Sequence, residues 1–455
     1  MLRIRNLWTL AAIAATLSAC TGRGSAPVLP AAGAASNLSV QNAGERYLMQ
    51  PDLPTPIQHV VIVFQENRTP DYLFQGIPNA DISQYAMDSR GNRVALHETS
   101  LAAPWDLGHG YGSFIKDWDN GKMDGFDAKM AEATRLRPFS YAPESEAQPY
   151  HDMAKQYVFG DRMFATNRGP SFPAHLYIVM GTAHDPTIRQ YLVRDNPYSS
   201  VTGKAVPGGC DAPKTAVVHT IKISDGSDGP SPWACLDRPT LADLLDGKNV
   251  SWRYYQEGAG PGLWHGYNAI NHIRYGKDWS NVVTSSAQFL TDVKAGKLAG
   301  VSWVMPAGPW SDHAGKNGTA RGPSWVAAIV NTIGQSQYWN NTAILITWDD
   351  WGGFYDHVAP PNDNAYELGI RVPLVIVSPY AKKSYVSKVQ HEFGSLLAFT
   401  EETFGIPKGS LTTTDMRADD LKDAFNFTQK PRAFIPINAP PFNPSAGPNA
   451  YYEDP

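Results

Sequence analysis

The sequence predicts an α/β protein with a mainly parallel central sheet and helices on both faces. Apolar runs rich in β-branched residues alternate with helical patterns, which is typical of a parallel sheet with helical crossovers. Acidic and amide side chains also follow two of these runs directly, at Glu66-Asn67 and at Asp349-Asp350. Ligands in open α/β sheets bind beyond the carboxyl ends of the strands, so these residues predict the position of a functional site.

The predicted elements alternate along the chain. Five apolar runs are predicted as strands, at residues 60–64, 250–255, 301–305, 343–347 and 374–377. Four periodic segments are predicted as helices, at residues 240–246, 287–295, 324–333 and 392–403. The 39 glycines and 36 prolines indicate long loops between these elements.

We interpret residues 51–455 as one domain. A chain of 455 residues can hold two or three domains, but single α/β domains also reach this size. Residues 186–239 are loop-rich and are interpreted as an insertion, and residues 430–455 as an extended C-terminal tail. The net charge of -5 argues against nucleic acid as a partner, because a protein that binds the phosphate backbone usually has a basic excess or a basic face.

The first 50 residues carry export signals. A positive start and an apolar stretch precede Leu17-Ser18-Ala19-Cys20, which resembles the bacterial lipobox. We therefore predict a lipoprotein signal peptide at residues 1–19, lipid on Cys20 and a flexible tether at residues 20–50. The protein is then an exported bacterial lipoprotein, anchored to a membrane in the periplasm or at the cell surface. An ordinary secretory signal cleaved near Ala19 is the alternative.

Cys210 and Cys235 are the cysteines that remain once Cys20 carries lipid. Disulfides persist in the oxidising compartments that exported proteins reach. We therefore predict a disulfide between Cys210 and Cys235, with two unpaired thiols as the alternative. A zinc site is not favoured, because no histidine lies at a finger-like spacing from them.

The segment 349–357 places three carboxylates, a histidine and a Gly pair directly behind an apolar run. Asp and Gly are ordinary turn residues, so a solvated turn is one interpretation. The segment Gln65-Glu66-Asn67-Arg68 favours a second interpretation, a ligand site. Side chains with oxygen atoms that can bind a ligand follow a predicted strand there as well. Such hard ligands suit a divalent cation.

Six motifs together resemble a family of bacterial and plant phosphoesterases. This family includes non-specific phospholipases C and a group of acid phosphatases, within the alkaline phosphatase-like superfamily. The motifs follow the family's order and span residues 57–405; they are Glu66-Asn67-Arg68, His109, residues 121–126, Gly169-Pro170-Ser171, Asp312-His313 and residues 349–357. The resemblance implies an alkaline phosphatase-like fold and the hydrolysis of phosphoric esters.

The resemblance also implies one divalent metal ion, whose identity the motifs leave open. Its ligands would be Glu66, Asn67, Asp349 and Asp350, which bring oxygen atoms from two strand ends. Asp350 departs from the family pattern, because many members have Glu at this position. The shorter side chain changes the geometry that the site offers to the metal.

Ser171 matches the family's nucleophilic Ser or Thr, which attacks phosphorus and forms a covalent phospho-enzyme. The Gly-Pro pair before it fits a turn that presents the hydroxyl, and a plain turn serine is the alternative. Downstream, Pro173-Ala174-His175 stands where many members have Pro-Asn-Arg. His175 is assigned to substrate binding, although histidine and arginine are not equivalent as phosphate ligands.

His109, His313 and His357 match active-site histidines of the family. A histidine with a pKa near neutrality can donate a proton to the leaving oxygen or bind the phosphoryl group. We assign His313 as the general acid and the other two as phosphate contacts, with a structural role as the alternative for each. Asp312 is assigned to substrate binding and is a candidate to orient His313, as Asp356 is for His357.

Two substrate classes remain open, since the motifs build a shared phosphoryl-transfer centre. A phospholipase C would act on phospholipid headgroup esters, whereas an acid phosphatase would act on a broad range of phosphate esters. Tryptophans such as Trp105 and Trp351 fit the entrance of a site that binds choline or lipid through cation–π contact. Ordinary packing in the core or at the rim of the site is the alternative for them. A surface lipoprotein that keeps the fold as a binding module without turnover is the alternative, and the intact Ser171 argues against it.

Overall fold

An eight-stranded sheet forms the centre of the protein. The computed structural model describes residues 55–184, 186–188, 190–315, 318–362 and 364–444. Eight strands within these residues belong to the central sheet, and eight others form small two-stranded sheets. In chain order the strands are β1 His59–Gln65, β2 Tyr85–Met87, β3 Arg93–Ala95, β4 His97–Glu98, β5 Ser140–Tyr141, β6 Val158–Gly160, β7 Tyr191–Val193, β8 Tyr198–Ser199, β9 Ala216–Val217, β10 Thr220–Lys222, β11 Trp252–Tyr255, β12 Val282–Val283, β13 Val301–Val304, β14 Thr342–Trp348, β15 Leu374–Val377 and β16 Tyr385–Ser387.

Ten α-helices accompany these strands in the described part of the chain. They are α1 Pro70–Leu73, α2 Tyr111–Trp118, α3 Glu144–Gln156, α4 Ser171–Met180, α5 Leu241–Gly247, α6 Asn271–Tyr275, α7 Gln288–Lys294, α8 Gly322–Gly334, α9 Phe393–Thr403 and α10 Thr413–Arg417. None of these described helices has both the length and the apolar character of a membrane span.

The central sheet is mainly parallel, and the predicted α/β fold class is confirmed. Its strand order is β12-β11-β13-β1-β14-β15-β6-β16. Only β15 runs against the others, since it pairs antiparallel with both β14 and β6. All five predicted strands lie in this sheet, and the four predicted helices correspond to α5, α7, α8 and α9.

β1 lies at the centre of the sheet, between β13 and β14. Residues 60–64 have no exposed surface. A parallel strand that is covered on both faces needs apolar side chains throughout, which explains the unbroken run of β-branched and aromatic residues. The pairing of β1 with β14 places Gln65 opposite Trp348. The two strands therefore end next to each other at the carboxyl edge of the sheet.

The segment 186–239 contains two small antiparallel sheets in addition to its loops. β7 pairs with β10, and β8 pairs with β9. Cys210 and Cys235 form a disulfide with their Cα atoms 4.7 Å apart, so that prediction is confirmed. The described part of the C-terminal tail, residues 430–444, forms no helix or strand.

The predicted signal peptide at residues 1–19, the lipid on Cys20 and the tether up to residue 50 lie outside the described residues. These three assignments stay predictions. All residues that the structure describes belong to one compact unit.

Candidate active site

The two polar strand ends meet at one edge of the central sheet. Asp349 donates its backbone N–H to the carbonyl of Gln65 at 3.0 Å, which continues the pairing of β1 with β14. Glu66-Asn67 and Asp349-Asp350 therefore lie side by side, and all four side chains are fully buried. Three carboxylates removed from water cost free energy unless hydrogen bonds or a cation offset the loss of hydration.

Asn67 joins the two strand ends. Its φ of +59° lies in the left-handed region, where Asn is enriched. Its backbone N–H donates to Asp349 Oδ1 at 2.8 Å, and its Nδ2 donates to Asp350 Oδ1 at 3.2 Å and to His109 Nε2 at 3.0 Å. Nδ2 thus faces a carboxylate, which sets the orientation of the amide. The amide oxygen Oδ1 is buried and has no hydrogen-bond partner among the described residues.

The turn after Asp350 requires glycine. Gly352 has a φ of +62°, and a Cβ atom at this position would lie 2.3 Å from the carbonyl oxygen of Asn67. Asp350 Oδ1 accepts the N–H of Gly352 at 2.7 Å, so this carboxylate shapes the turn as well as orienting Asn67. Asp349 Oδ1 accepts the N–H of Asp350 at 2.8 Å, whereas its Oδ2 is buried without a hydrogen-bond partner in the described chain.

Ser171 begins helix α4, and its hydroxyl faces Glu66. Ser171 Oγ donates to Glu66 Oε2 at 3.2 Å. His175 lies one helical turn later on the same face and donates from Nε2 to Glu66 Oε1 at 3.0 Å. The carboxylate of Glu66 therefore accepts hydrogen bonds from two side chains of α4, those of Ser171 and His175.

His175 contacts Glu66 as a neutral ring. Burial lowers the pKa of His175 to about 3, so the imidazole has no charge near neutral pH. A neutral imidazole still donates a hydrogen bond from Nε2 to the carboxylate of Glu66. The assignment of His175 to substrate binding stays a prediction.

The unpartnered buried oxygens of Asn67 and Asp349 mark a place for a cation. Ligand atoms of Glu66, His175 and Asp349 lie within 4.8 Å of one another. Carboxylate and amide oxygens with an imidazole nitrogen form a donor set that divalent metals such as zinc and manganese accept. The residues therefore fit a divalent ion. His175 borders the same place and donates from Nε2 to Glu66, and Asp350 shapes the turn, while its assignment as a metal ligand stays a prediction.

His109 and His313 lie beside each other at the same edge. Their ring centroids are 5.6 Å apart in an edge-to-face contact. His109 donates from Nδ1 to the carbonyl of Leu107 at 2.7 Å, so that Nε2 accepts the hydrogen bond from Asn67. His313 donates from Nδ1 to the carbonyl of Ala314 at 2.6 Å. The structure thus brings these two predicted histidines together, and their catalytic roles stay predictions.

Asp312 points into the core instead of pairing with the ring of His313. Its Oδ2 accepts the hydroxyl of Tyr150 at 2.6 Å and the indole N–H of Trp348 at 3.0 Å, and burial raises the pKa of Asp312 to about 6. The side chain of Gln65 accepts the backbone N–H of Asp312 at 3.1 Å. Asp312 therefore positions the loop that carries His313, and its assignment to substrate binding stays a prediction.

His357 belongs to a separate cluster of buried and half-buried charged groups. Its Nδ1 pairs with Asp71 Oδ2 at 2.8 Å and its Nε2 with Asp81 Oδ1 at 3.0 Å. Asp356 binds Arg371 through two hydrogen bonds of 2.8 and 2.9 Å, so it does not orient His357. Carboxylates occupy both ring nitrogens, which supports a structural role. The phosphate contact assigned to His357 stays a prediction.

Replacing His357 by Gln tests this cluster through the pH dependence of stability. Burial acts to lower the pKa of His357, but the hydrogen bond and charge of Asp71 outweigh it and raise the pKa to about 9. The resulting stabilisation is fully present below the ordinary pKa of 6.5 and is lost as the pH rises through about 9. Allowing for partial exposure, we expect His357→Gln to lower the free energy of unfolding by about 1–3 kcal/mol at pH 6 and by less at pH 10. Urea unfolding measures both values, and an equal loss at the two pH values would contradict the expectation.

Three polar residues contact predicted site residues or the segments that carry them, and the sequence assigned no role to any of the three. Asp71 pairs with His357, Gln65 holds the loop of Asp312, and Asn196 Oδ1 accepts the backbone N–H of Phe172 at 2.9 Å in the first turn of α4. The sequence offered a local indication for Gln65, because this residue directly precedes the predicted metal ligands Glu66 and Asn67. The other two have partners far away in sequence, and no local pattern identifies them.

The protein combines a mainly parallel sheet, candidate oxygen ligands at its carboxyl edge and a buried serine hydroxyl against one of them. This arrangement is expected of an α/β phosphoesterase. The family model described as the Phosphoesterase family matches residues 57–407. This match covers well over half of the 455 residues, and the chain belongs to the Phosphoesterase family. The resemblance carried by the six motifs is confirmed.

Several curated proteins are similar to this chain. The Phospholipase C B of Mycobacterium tuberculosis is 28% identical, over 87% of this chain and 84% of that protein. The Non-hemolytic phospholipase C of Pseudomonas aeruginosa is 23% identical over 82% of this chain, and the Non-specific phospholipase C6 of Arabidopsis thaliana is 23% identical over 66%. The match spans only 57% of the Pseudomonas protein and 55% of the Arabidopsis protein.

Among solved structures, a protein of the alkaline phosphatase superfamily from Vibrio parahaemolyticus matches 81% of this chain and 71% of its own. The TM-score is 0.37 and the sequence identity is 11%. The assignment of the chain to its family rests on the family model.

Proposed function

We propose that this chain is a metal-dependent hydrolase of phosphoric esters that uses Ser171 as its nucleophile. The observation that carries the proposal is the 3.2 Å hydrogen bond from Ser171 Oγ to Glu66 Oε2, which joins the predicted nucleophile to the ligand-bearing edge of the sheet. Membership of the Phosphoesterase family and similarity to proteins named phospholipase C support the reaction class.

In the proposed first step, Ser171 Oγ attacks phosphorus while the bond from phosphorus to the ester oxygen breaks. The hydroxyl proton passes to Glu66 Oε2, which already accepts its hydrogen bond. A protonated His313 gives its proton to the departing oxygen, so the product leaves as an alcohol. Because Ser171 begins α4, the positive end of the helix dipole favours the negative phosphoryl group.

In the second step, a water molecule attacks phosphorus of the phosphoserine and gives one proton to the neutral ring of His313, while the bond from phosphorus to Ser171 Oγ breaks. Glu66 returns its proton to Ser171 Oγ, and the product leaves as phosphate, or as a phosphate monoester when the substrate is a diester, with the oxygen of the water on phosphorus. His109 lies beside His313. It is proposed to hold a phosphoryl oxygen in its protonated form, with Nε2–H donating to that oxygen in place of the hydrogen bond that Nε2 accepts from Asn67.

Glu66, Asn67 and Asp349 would hold the divalent cation. When bound there, the cation neutralises charge on the phosphoryl oxygens. Asp350 orients the amide of Asn67, and His175 orients the carboxylate of Glu66. These two hydrogen bonds preorganise the ligand set, as supporting residues do in other metal sites.

Hydrolysis of p-nitrophenyl phosphate and p-nitrophenyl phosphocholine, each with and without a chelator, tests the proposal. We expect release of nitrophenol from at least one substrate, its loss after chelation, and its recovery when a divalent cation is returned. No release from either substrate between pH 4 and pH 10 would overturn the proposed reaction. Release that a chelator leaves unchanged after prolonged dialysis would overturn its metal dependence.

The choice between a phospholipase C and an acid phosphatase is the outcome of the same assay, since release from the diester alone would select the lipase. Export as a lipoprotein anchored through Cys20, in the periplasm or at the cell surface, remains a proposal. It is supported by the lipobox-like sequence at residues 17–20.

A further inference from the structure

A cavity of about 340 Å³ opens beside the loop that presents Ser171. One side of the cavity is the segment 106–110, which includes His109. The other side comes from the insertion at residues 186–239, through residues 195–198 and His219. Pro170, the residue before Ser171, also lines it. A phosphoryl group held against Ser171 therefore has its ester group next to this cavity.

Two stacked rings form part of the cavity wall. The rings of Tyr198 and His219 lie 4.2 Å apart between centroids, at an interplanar angle of 16°. Tyr198 belongs to β8, which pairs with β9, and its hydroxyl donates to Ser231 Oγ at 3.1 Å. The ring pair is therefore held by strand pairing and by a hydrogen bond. A fixed flat aromatic surface favours the stacking of another ring.

The charge of the wall disfavours an anionic ester group. Its described residues include Asp106 and Asp195 and no lysine or arginine. Asp195 is already engaged, because it accepts the N–H of Tyr111 at 2.8 Å and pairs with Arg194 at 3.0 Å. Asp106 contributes a half-buried carboxylate close to His109 and His313. This carboxylate repels an anion and accepts hydrogen bonds from a neutral group.

The insertion is tied directly to the loop of the nucleophile. Asn196 accepts the backbone N–H of Phe172 at 2.9 Å, in the first turn of α4. A Cβ atom on Gly169 would lie 2.2 Å from the carbonyl oxygen of Arg194, so the two backbones are in close contact. These contacts hold the ring pair at a set position relative to Ser171.

We propose that this cavity is a subsite for the ester group of the substrate, and that it selects a compact, ring-bearing group without negative charge. This inference rests on the proposed function, because it takes Ser171 as the place where the phosphoryl group binds. A volume of about 340 Å³ lies at the small end of the range for ligand sites, which suits one or two rings. Tyr198 and His219 are the specificity-determining residues of the subsite.

Binding of phenylphosphonate and methylphosphonate, which are not hydrolysed, tests the subsite separately from turnover. Isothermal titration of the purified protein is expected to show about threefold to tenfold tighter binding of the phenyl compound. Tyr198→Ala and His219→Ala are expected to remove most of this preference, whereas Tyr198→Phe keeps it. Tyr85→Ala is the control, because Tyr85 is a partly exposed tyrosine on a separate hairpin outside the cavity wall.

Equal affinity of the wild-type protein for the two phosphonates, or no binding of either, would overturn the subsite. An unchanged preference in both Tyr198→Ala and His219→Ala would also overturn it. His219 is exposed, so its replacement leaves a folded protein if Tyr198→Ala is unstable. Turnover of the nitrophenyl esters without a ring preference in binding would refute the subsite and leave the proposed function standing.

Discussion

Ser171→Ala is expected to lower kcat by at least about 1,000-fold while the protein stays folded. The substitution removes the atom that attacks phosphorus in the first step of the proposed mechanism. It also removes one hydrogen bond, from Ser171 Oγ to Glu66 Oε2. Alanine is a better helix former than serine, so α4 keeps its first turn. Steady-state hydrolysis of the nitrophenyl esters and thermal unfolding of the same samples measure the two effects.

Ser302→Ala is a matched control for this experiment. Ser302 is a fully buried serine on β13, and its hydroxyl has no hydrogen-bond partner among the described residues. Its replacement is expected to leave kcat within about twofold of the wild-type value. A rate of Ser171→Ala within a few-fold of that control would exclude Ser171 as the nucleophile.

Asp349→Asn is expected to remove bound metal and to lower kcat/KM by at least about 100-fold. The asparagine oxygen can still accept the backbone N–H groups of Asn67 and Asp350, which Asp349 Oδ1 accepts at 2.8 Å each. The substitution therefore keeps the turn and removes the negative charge and the buried Oδ2 atom. Elemental analysis after dialysis measures the metal content, and circular dichroism reports whether the fold is kept.

Asp117→Asn is the matched control for Asp349→Asn. Asp117 is buried near the site and accepts the indole N–H of Trp351 at 3.0 Å. Burial raises the pKa of Asp117 to about 8, so its carboxyl group is mostly neutral at pH 7 and resembles the amide that replaces it. We expect this variant to keep its metal. Full metal occupancy in Asp349→Asn would show that Asp349 is not a ligand.

The parts of the fold that were predicted from the sequence are those with a strong local signal. Residues 60–64 and 343–346 are unbroken apolar runs, which a strand covered on both faces requires. The polar residues at their ends were placed together because parallel strands end at the same edge of a sheet. The disulfide between Cys210 and Cys235 followed from the count of cysteines in a chain with a predicted export signal.

The partners of individual side chains were not predictable in the same way. Asp312 and Asp356 each precede a histidine, yet Asp312 binds Tyr150 and Trp348, and Asp356 binds Arg371. Which neighbour a buried carboxylate contacts depends on how distant segments pack, and adjacency in sequence does not determine it. Asn196 illustrates the same limit, since its contact with Phe172 exists only once the segment 186–239 lies against the start of α4.

Because β1 lies at the centre of the sheet, the order in which the strands are synthesised determines when the sheet can assemble. β1 comes first among the described strands, but its partners β13 and β14 come more than two hundred residues later, and the contact of Asn67 with Asp349 spans 282 residues. Contacts of such long range form slowly, because a large loop must close before they stabilise the chain. A nascent chain that stops before residue 349 therefore contains Ser171 and Glu66 but lacks Asp349. Under the proposed mechanism, turnover would require a chain that has been made and folded beyond β14.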